Sequence, residues 1–175
     1  MASSNGMAMQ LDYTSPAADE TTTCRPAALT GGVSNMTKSA AAKMKSEGWE
    51  IVDTSGFLHL IGPLWQRIVD DVHEYAIQTE DKHHNRRGLV QGGVIMTLAD
   101  RSCGMTARYA AGKEHMATIQ FDTHFVESGK IGETLVSRPH VVRITRSLVF
   151  ITTEVTAADR VIAMASGVFK ILKSE

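Results

Sequence analysis

The spacing of hydrophobic positions changes along the chain, and each pattern predicts a different kind of element. Val94–Ala111 carries apolar side chains on nearly every side, which is typical of a long buried helix. After Gly112 the hydrophobic period becomes two. Segments rich in Val, Ile, Thr and Phe then predict four long strands, at Met116–Val126, Glu133–Ile144, Ser147–Thr156 and Val161–Leu172.

Shorter elements are predicted before the long helix. Lys38–Glu47 contains strong helix formers and ends at a glycine, which indicates a short helix. Phe57–Ile61 is an apolar run closed by Gly-Pro, and we expect a strand there. Leu64–Val69 and Val72–Thr79 flank an Asp-Asp turn and predict a hairpin, whereas the polar segment His83–Gly93 is typical of a loop.

The order of these elements predicts the fold class. Consecutive strands with short connections form an antiparallel meander, and its apolar face needs a partner to cover it. The long candidate is Val94–Ala111, so we expect an α+β fold in which an antiparallel sheet wraps around one central helix. Residues 38–175 would form this domain. Residues 1–37, rich in small and polar residues, would form a flexible N-terminal extension.

Composition narrows the possible functions. Lys and Arg number 18 against 19 Asp and Glu, and the formal charge of −1 gives no global attraction to nucleic acid or to an anionic membrane. No apolar run approaches the ~20 residues that span a bilayer. Two cysteines without metal-ligand spacing, and seven histidines without an HxxxH pattern, favour a cytoplasmic protein with no metal site.

A carboxylate interrupts the predicted buried helix. Asp100 lies among small and apolar residues, where an isolated carboxylate is costly unless it is paired or its pKa rises. Periodicity leaves two alternatives open. Asp100 is either a structural carboxylate, paired for instance with Arg101 or facing solvent, or a functional one.

Two glycines come just before the same helix, at the end of a loop that carries two amides. Free N–H groups at Gly92 and Gly93 can stabilise an anion or polarise a carbonyl, although a Gly-Gly pair is also an ordinary loop-to-helix joint. Asn85 and Gln91 lie in the loop. Either amide can bind a substrate carbonyl, or it can hold the loop and cap the helix.

Spacing along the helix constrains how these residues can act together. Gly92 and Asp100 are eight residues apart, or roughly 12 Å at ~1.5 Å per residue. A reacting atom has to lie about 3 Å from both the carbonyl-binding group and the base or nucleophile. If the two residues share a site, Gly92 of one subunit must face Asp100 of another, with the helices antiparallel across a two-fold axis.

The stretch from Asn85 to Asp100, NRRGLVQGGVIMTLAD, resembles the signature of hotdog-fold acyl-CoA thioesterases of the phenylacetyl-CoA (PaaI) type. That family shows Asn-x-x-Gly-x-x-His-Gly-Gly followed by an apolar helical turn and Leu-Ala-Asp. The similarity extends from Phe57 through ATIQF at 117–121 to ASGVF at 165–169, about two-thirds of the chain. The resemblance implies a hotdog fold, in agreement with the sheet and helix expected from periodicity.

The resemblance also implies a role for each matching residue. Asp100 corresponds to the catalytic carboxylate, which attacks the thioester or activates water. Gly92 corresponds to the glycine whose N–H polarises the thioester carbonyl, and Asn85 to the amide that orients the carbonyl or the water. Thr118 corresponds to a Ser or Thr that hydrogen-bonds the water. The implied activity is hydrolysis of acyl-CoA, without cofactor or metal, by a homodimer or dimer of dimers whose sites cross the subunit interface.

Substrate-binding residues are expected beside this group. Gln91 stands where the family usually has His, and its amide can form hydrogen bonds but cannot shuttle a proton. We expect Gln91 and Gly93 to contact the substrate at the helix start. The phosphates of CoA require basic side chains, for which Arg143 and Arg146 are candidates. Further basic candidates are Arg86, Arg87 and Arg138.

Other reactive or aromatic residues are expected to be structural. Cys103, three residues after Asp100, would be a buried thiol because no motif places a His beside it. Trp49 and Trp65 would be core or interface aromatics. The competing function is a non-catalytic acyl-CoA-binding hotdog module. A hotdog dehydratase or hydratase is disfavoured because it needs a catalytic His near the acid, and neither nucleic acid nor membrane is an expected partner.

Overall fold

The structure is a computed structural model and describes residues 33–172, with side chains from Ser39 onward. Residues 1–32, most of the predicted extension, lie outside the described residues, so their expected flexibility stays a prediction. The described helices and strands are α1 (Val33–Ser46), β1 (Glu50–Ile51), α2 (Gly56–Ile61), β2 (Leu64–Val69), β3 (Val72–Gln78), α3 (Gly92–Ala111), β4 (Met116–Phe125), β5 (Thr134–Ile144), β6 (Leu148–Ala157) and β7 (Arg160–Ile171). No helix within residues 33–172 is long and apolar enough to cross a membrane.

One antiparallel sheet contains the seven described strands, in the order β1-β2-β3-β5-β6-β7-β4. The predicted meander is confirmed for β5, β6 and β7. The expectation that β4 continues it beside β5 is wrong, because β4 pairs with β7 at the far edge. Backbone hydrogen bonds explain the difference, since Thr79 after β3 is bonded to Gly132 and Glu133 just before β5. These bonds hold β5 beside β3 and leave β4 the other edge.

The long helix α3 packs against one face of the sheet, which confirms the expected α+β arrangement. Its buried residues form one stripe: Val94, Ile95, Leu98, Ala99, Ser102, Cys103, Thr106 and Ala107. The rest of α3 is not fully covered, and Met96 is 42% and Tyr109 70% exposed. The expectation of a helix buried on every side is therefore wrong for the single chain, because the sheet covers one face only.

The helix α2 occupies a segment that was expected to be a strand. Phe57–Ile61 lies within α2, and the N–H of Gly62 closes its last turn by bonding the carbonyl oxygen of Leu58 at 2.8 Å. Four apolar residues around His59 fit a short strand and a single helical turn equally well. Periodicity therefore could not separate the two, and the expected strand is wrong.

A second, smaller core lies on the opposite face of the sheet, under α1. Tyr75 packs in the core below α3, so the next residue, Ala76, points to the other side, which we call the outer face. Ala76 is buried there with Met44 of α1 and with Trp49 and Trp65. The two tryptophans are therefore core aromatics.

The β2–β3 hairpin forms as predicted, with positive φ at both Asp70 and Asp71, and an ion-pair network fixes it on the outer face. Glu74 of β3 bonds Arg67 of β2 and Arg138 of β5, and its side chain is 8% exposed. Burial alone would raise the pKa of Glu74, but the hydrogen bonds and charges of the two arginines outweigh burial and lower it. The network links three neighbouring strands.

Candidate active site

Asp100 and Thr118 meet where α3 passes the edge strand β4. Thr118 is in register with the buried Phe169 of β7, so its side chain faces α3. Its Oγ1 donates a hydrogen bond to Oδ1 of Asp100 at 2.9 Å. The strand register shifts directly after Thr118, at Ile119, and such bulges commonly re-aim side chains beside active sites. The packing of α3 beside β4, together with the bulge, thus brings Asp100 and Thr118 into contact although they are 18 positions apart in the sequence.

The carboxylate of Asp100 is held by a hydroxyl and not by a cation. Within the described residues Asp100 enters no salt bridge, so the structural alternative of a pair with Arg101 is not realised. Thr118 bonds one carboxylate oxygen only, and Oδ2 has no hydrogen-bond partner among these residues. A half-buried carboxylate with one oxygen free is able to accept a proton or to attack an electrophile.

A cavity of about 300 Å³ opens beside this pair. Its floor is apolar because Gly104 leaves space above the Phe169 ring, where an added Cβ would lie 3.3 Å from Cε1. We call it the Asp100 cavity. It is lined by Asp100, Arg101, Gly104, Arg108, Glu114, His115, Met116, Thr118, Phe169 and Leu172.

Several lining residues were not found by sequence reasoning. Arg101 and Arg108 follow Asp100 by one and eight positions, a spacing that puts them on the same open side of α3. The spacing of these two arginines from Asp100 could therefore have been recognised in the sequence. Glu114 and His115 lie between α3 and β4, and no pattern marked them.

The loop before α3 is organised by Asn85. Oδ1 of Asn85 accepts the N–H groups of Arg87 at 2.8 Å and Leu89 at 3.3 Å, and its own N–H bonds the carbonyl oxygen of Leu89 at 2.7 Å. In the single chain Asn85 therefore closes the turn that leads into α3. Its side-chain NH₂ has no hydrogen-bond partner among the described residues.

Gln91 caps the helix start with its own side chain. Oε1 of Gln91 accepts the N–H of Gly92 at 3.0 Å. The neighbouring N–H of Gly93 makes no hydrogen bond within the described residues. On its other side Gly92 lies against the Phe125 ring, since an added Cβ would be 3.1 Å from Cζ. The N–H expected to polarise a carbonyl is thus already engaged in this conformation.

The candidate residues form two groups on one chain. Asp100 and Thr118 form the first, and the second comprises Asn85, Gln91, Gly92 and Gly93. Both groups are attached to α3, but eight residues separate Gly92 from Asp100, which is ~12 Å along a helix axis. A single chain therefore does not bring them to one reacting atom.

The arginines expected to bind CoA phosphates do not line the Asp100 cavity. Arg143 is in register with Phe150 on the outer face, and Arg146 lies in the exposed turn between β5 and β6. Arg138 is engaged with Glu74 on the outer face. Arg86 and Arg87 are exposed in the loop before α3. Within one chain, none of the five approaches Asp100.

Cys103 is fully buried between α3 and the sheet. Burial, with a smaller effect from the charge of Asp100, raises the pKa of its thiol to about 12. A thiol of this kind stays protonated at neutral pH, so the expected structural role fits and nucleophilic chemistry does not. Among the described residues no three His, Cys, Asp or Glu side chains are grouped as metal ligands.

Comparisons with known proteins agree with this fold. Residues 87–163 match the model of the thioesterase superfamily. A Pseudomonas aeruginosa protein named "Putative esterase PA0474" is 27% identical over 130 residues, which are 71% of this chain and 96% of that protein. The fold is that of the hotdog thioesterases, and the matched segment contains α3 with Asp100 and β4 with Thr118.

Two solved structures illustrate the likeness of fold. Zebrafish thioesterase superfamily member 2 superposes with a TM-score of 0.62 at 23% identity, covering 69% of this chain and 89% of that one. A mutant of the phenylacetic acid degradation protein PaaI from Thermus thermophilus gives a TM-score of 0.56 at 14% identity, covering 75% and 99%. At these identities the superpositions support the fold alone.

Proposed function

We propose that this chain hydrolyses acyl-CoA thioesters to the free acid and CoA, at active sites shared between the two subunits of a homodimer. The superfamily match and the relative named as an esterase support thioester hydrolysis as the general activity. The observation that carries the proposal is the 2.9 Å hydrogen bond from Thr118 to Asp100 at the wall of a cavity.

The chemistry needs a base or nucleophile and a stabiliser for the carbonyl oxygen. In one route Asp100 takes a proton from water, the resulting hydroxide attacks the thioester carbon, the C–S bond breaks, and CoA leaves as a thiolate that is then protonated. In the other, a carboxylate oxygen of Asp100 attacks the thioester carbon, the C–S bond breaks with release of the CoA thiolate, which is then protonated, and water hydrolyses the resulting mixed anhydride to free acid and Asp100. Thr118 fixes Oδ1 in both routes and so aims Oδ2 at the substrate or the water.

The second subunit supplies the carbonyl-binding group. β4 is an edge strand, and several apolar side chains lie exposed along it and on the adjacent flank of α3: Met96, Ile119, Phe125 and Val126. Pairing of two β4 edges about a two-fold axis would cover this surface and set the two α3 helices antiparallel. The N–H of Gly92 from one subunit then faces Asp100 of the other, where it stabilises the developing oxyanion together with the helix dipole.

Turnover in this arrangement requires Gln91 to move. Its Oε1 accepts the Gly92 N–H, so a thioester carbonyl has to displace it before that N–H can act on the substrate. Once rotated away, the Gln91 amide is available as a donor to the substrate, and the free N–H of Gly93 lies beside it.

The test is release of thiol from a panel of acyl-CoAs, from acetyl to palmitoyl with phenylacetyl and benzoyl. Asp100→Asn keeps the shape of the side chain and an acceptor for Thr118, and we expect it to lower kcat by about 10²–10⁴-fold. Asp159→Asn, the same change in the β6–β7 turn, is the matched control and should retain full activity. A protein-only blank corrects for reaction of cysteine with the thiol reagent.

A second candidate function is favoured by one contact. Because Gln91 already occupies the Gly92 N–H, the chain could bind acyl-CoA without hydrolysing it. Saturable binding of an acyl-CoA measured by calorimetry, with no thiol released from any member of the panel, would select this function. Undiminished thiol release by Asp100→Asn would instead show that the assignment of Asp100 is wrong.

A further inference from the structure

A second cavity adjoins the Asp100 cavity at the next face of α3 and has a volume of about 530 Å³. Arg108 and Glu114 line both cavities, so the two meet at the C-terminal end of α3. We call the second one the Tyr109 cleft. It is lined by Gln66, His73, Tyr75, Met105, Arg108, Tyr109, Gly112, Lys113 and Glu114.

Aromatic rings form one wall of the Tyr109 cleft. The His73 and Tyr109 rings lie 4.3 Å apart between centroids, and His73 stacks at 13° on Tyr75 at 6.3 Å. Tyr75 is buried, but Tyr109 is 70% exposed at the mouth. An exposed ring beside other aromatic rings is a surface on which a planar base can stack.

Cations without partners surround the same region. Arg101, Arg108 and Lys113 enter no salt bridge within the described residues, and Nε of Arg101 is buried without a hydrogen-bond partner. Two carboxylates face these three cations. One of them, Asp100, is hydrogen-bonded by Thr118, and the other is Glu114. Taken together, the linings of the two cavities carry three cations against two carboxylates, and this excess of positive charge is suited to phosphate groups.

We infer that the Tyr109 cleft binds the adenosine phosphate end of CoA, with Tyr109 and His73 against the base and Arg108 and Lys113 on the phosphates. This inference rests on the proposed function. Tyr109 follows Asp100 by nine residues, or ~13.5 Å along α3, a span that the pantetheine arm bridges when the thioester lies at Asp100. The phosphate-binding cations are thus on α3 and just after it, and not at Arg143 or Arg146.

The experiment compares two substrates that carry the same acyl group, acyl-CoA and acyl-pantetheine, the second of which lacks the nucleotide. In the double variant Arg108→Ala with Lys113→Ala, we expect the KM for acyl-CoA to rise at least about tenfold with kcat little changed. The KM for acyl-pantetheine should stay at the wild-type value. Tyr109→Ala should likewise raise the KM for acyl-CoA and leave the KM for acyl-pantetheine unchanged. The control Lys170→Ala removes an exposed cation on the outer face and should change the KM of neither substrate.

A purely structural role for these residues predicts a different result. Arg108 and Lys113 lie near the C-terminus of α3, where a positive charge interacts favourably with the helix dipole and stabilises the helix. If the substitutions only weaken the helix, the KM values for acyl-CoA and acyl-pantetheine should change together, or neither should change. Either result overturns the inference. Circular dichroism confirms that each variant is folded.

Binding of ADP alone separates failure of the cleft from failure of the proposed function. We expect calorimetry to detect ADP binding to the wild type and a loss of at least about tenfold in affinity in the double variant. That result supports the cleft even if no acyl-CoA is hydrolysed. Equal affinity in both proteins, or no binding to the wild type, overturns the inference even if thiol release is observed.

Discussion

The N–H of Gly92 can be removed without disturbing the start of α3. Gly92 is the first residue of the helix, where proline is favoured, and Gln91 before it has φ −64° and ψ 132°, a conformation that a following proline accepts. If this N–H stabilises the oxyanion, Gly92→Pro should lower kcat by about 10²–10³-fold, as measured by thiol release from the best acyl-CoA.

Gly92→Ala is the matched control for this change. Its Cβ makes the same approach to the Phe125 ring, which is 53% exposed and free to shift, but the N–H is kept. We expect Gly92→Ala to retain activity within a few fold. Equal losses in the two variants would mean that crowding of Phe125, and not the missing N–H, lowers the rate.

His83 anchors the loop that leads to Gln91. It is 2% exposed, and its Nδ1 accepts the N–H of Glu80 at 2.8 Å, so the ring proton is on Nε2, which donates to the carbonyl oxygen of Ile61 at 2.9 Å. Its own carbonyl oxygen accepts the N–H of Gln91 at 2.8 Å. Burial lowers the pKa of His83, and the bond to Ile61 only partly opposes this. His83 is therefore a neutral structural histidine.

This lowered pKa makes stability depend on pH. Below the ordinary histidine value of about 6.5 the unfolded chain takes up a proton that the folded chain does not, so the free energy of unfolding falls as pH drops. The contribution is complete above about pH 6.5 and is lost as pH falls through the folded pKa. Urea unfolding between pH 5 and 7.5 should show this slope in the wild type and a weaker one in His83→Gln. His59→Gln, at an exposed histidine of α2, should leave the slope unchanged.

At the scale of residues, chemical type and spacing marked Asp100 and the helix start as candidates, and the family resemblance gave each an expected role. Periodicity could not decide whether Asp100 forms an ion pair, because the answer depends on Thr118, which reaches it only after β4 crosses to the far edge. For a related reason, sequence reasoning could not tell that Arg143 and Arg146 do not line the Asp100 cavity. A pattern of arginines does not say which face of the sheet carries Arg143, whereas Arg108 and Lys113 resemble ordinary cations at a helix C-terminus.

Among the elements, the β2–β3 hairpin depends on Glu74. One buried carboxylate serves two arginines on neighbouring strands, so its removal leaves both cations without a partner. We expect Glu74→Gln to lower the free energy of unfolding by about 2–3 kcal/mol, less than for a fully buried pair because Arg138 is partly exposed. Urea unfolding measures this change. Glu50→Gln, at an exposed carboxylate of β1, should cost little, and an equal cost would argue against a special role for the network.

Element types were predictable where the pattern was long, and their arrangement was not. The strands after α3 are ten or more residues long and rich in β-branched and aromatic residues, and each was predicted within a few residues of its observed bounds. α2 was missed because a single apolar turn carries no period. The place of β4 was missed because the bonds between Thr79 and the start of β5 join residues more than 50 positions apart, beyond the reach of local patterns.

At the scale of the whole molecule, the β4 edge of the sheet is unpaired within residues 33–172 and carries exposed apolar side chains. On the outer face α1 covers the β1–β3 end. At the far end of the sheet β4 pairs with β7 on one edge, but its other edge has no partner strand among the described residues, and Ile119, Phe125 and the adjoining Val126 are each more than half exposed. The candidate catalytic groups are also separated in the single chain, with Asp100 and Thr118 in one cluster and Gly92 in another ~12 Å away along α3. A two-fold axis beside β4 would cover the exposed edge and would also bring Gly92 of one subunit close to Asp100 of the other.

Mixed dimers test this arrangement directly. Asp100→Asn and Gly92→Pro should each inactivate a homodimer, because both of its sites carry the lesion. A dimer with one subunit of each kind has two shared sites, each built from Asp100 of one subunit and Gly92 of the other. One of these sites then carries both substitutions, and the other carries neither, so about half of the wild-type turnover per dimer should return. Co-expression with two affinity tags isolates the mixed dimer, and thiol release measures its activity. If each site instead lies within one chain, the mixed dimer stays as inactive as its parents, since every subunit then carries a damaged site.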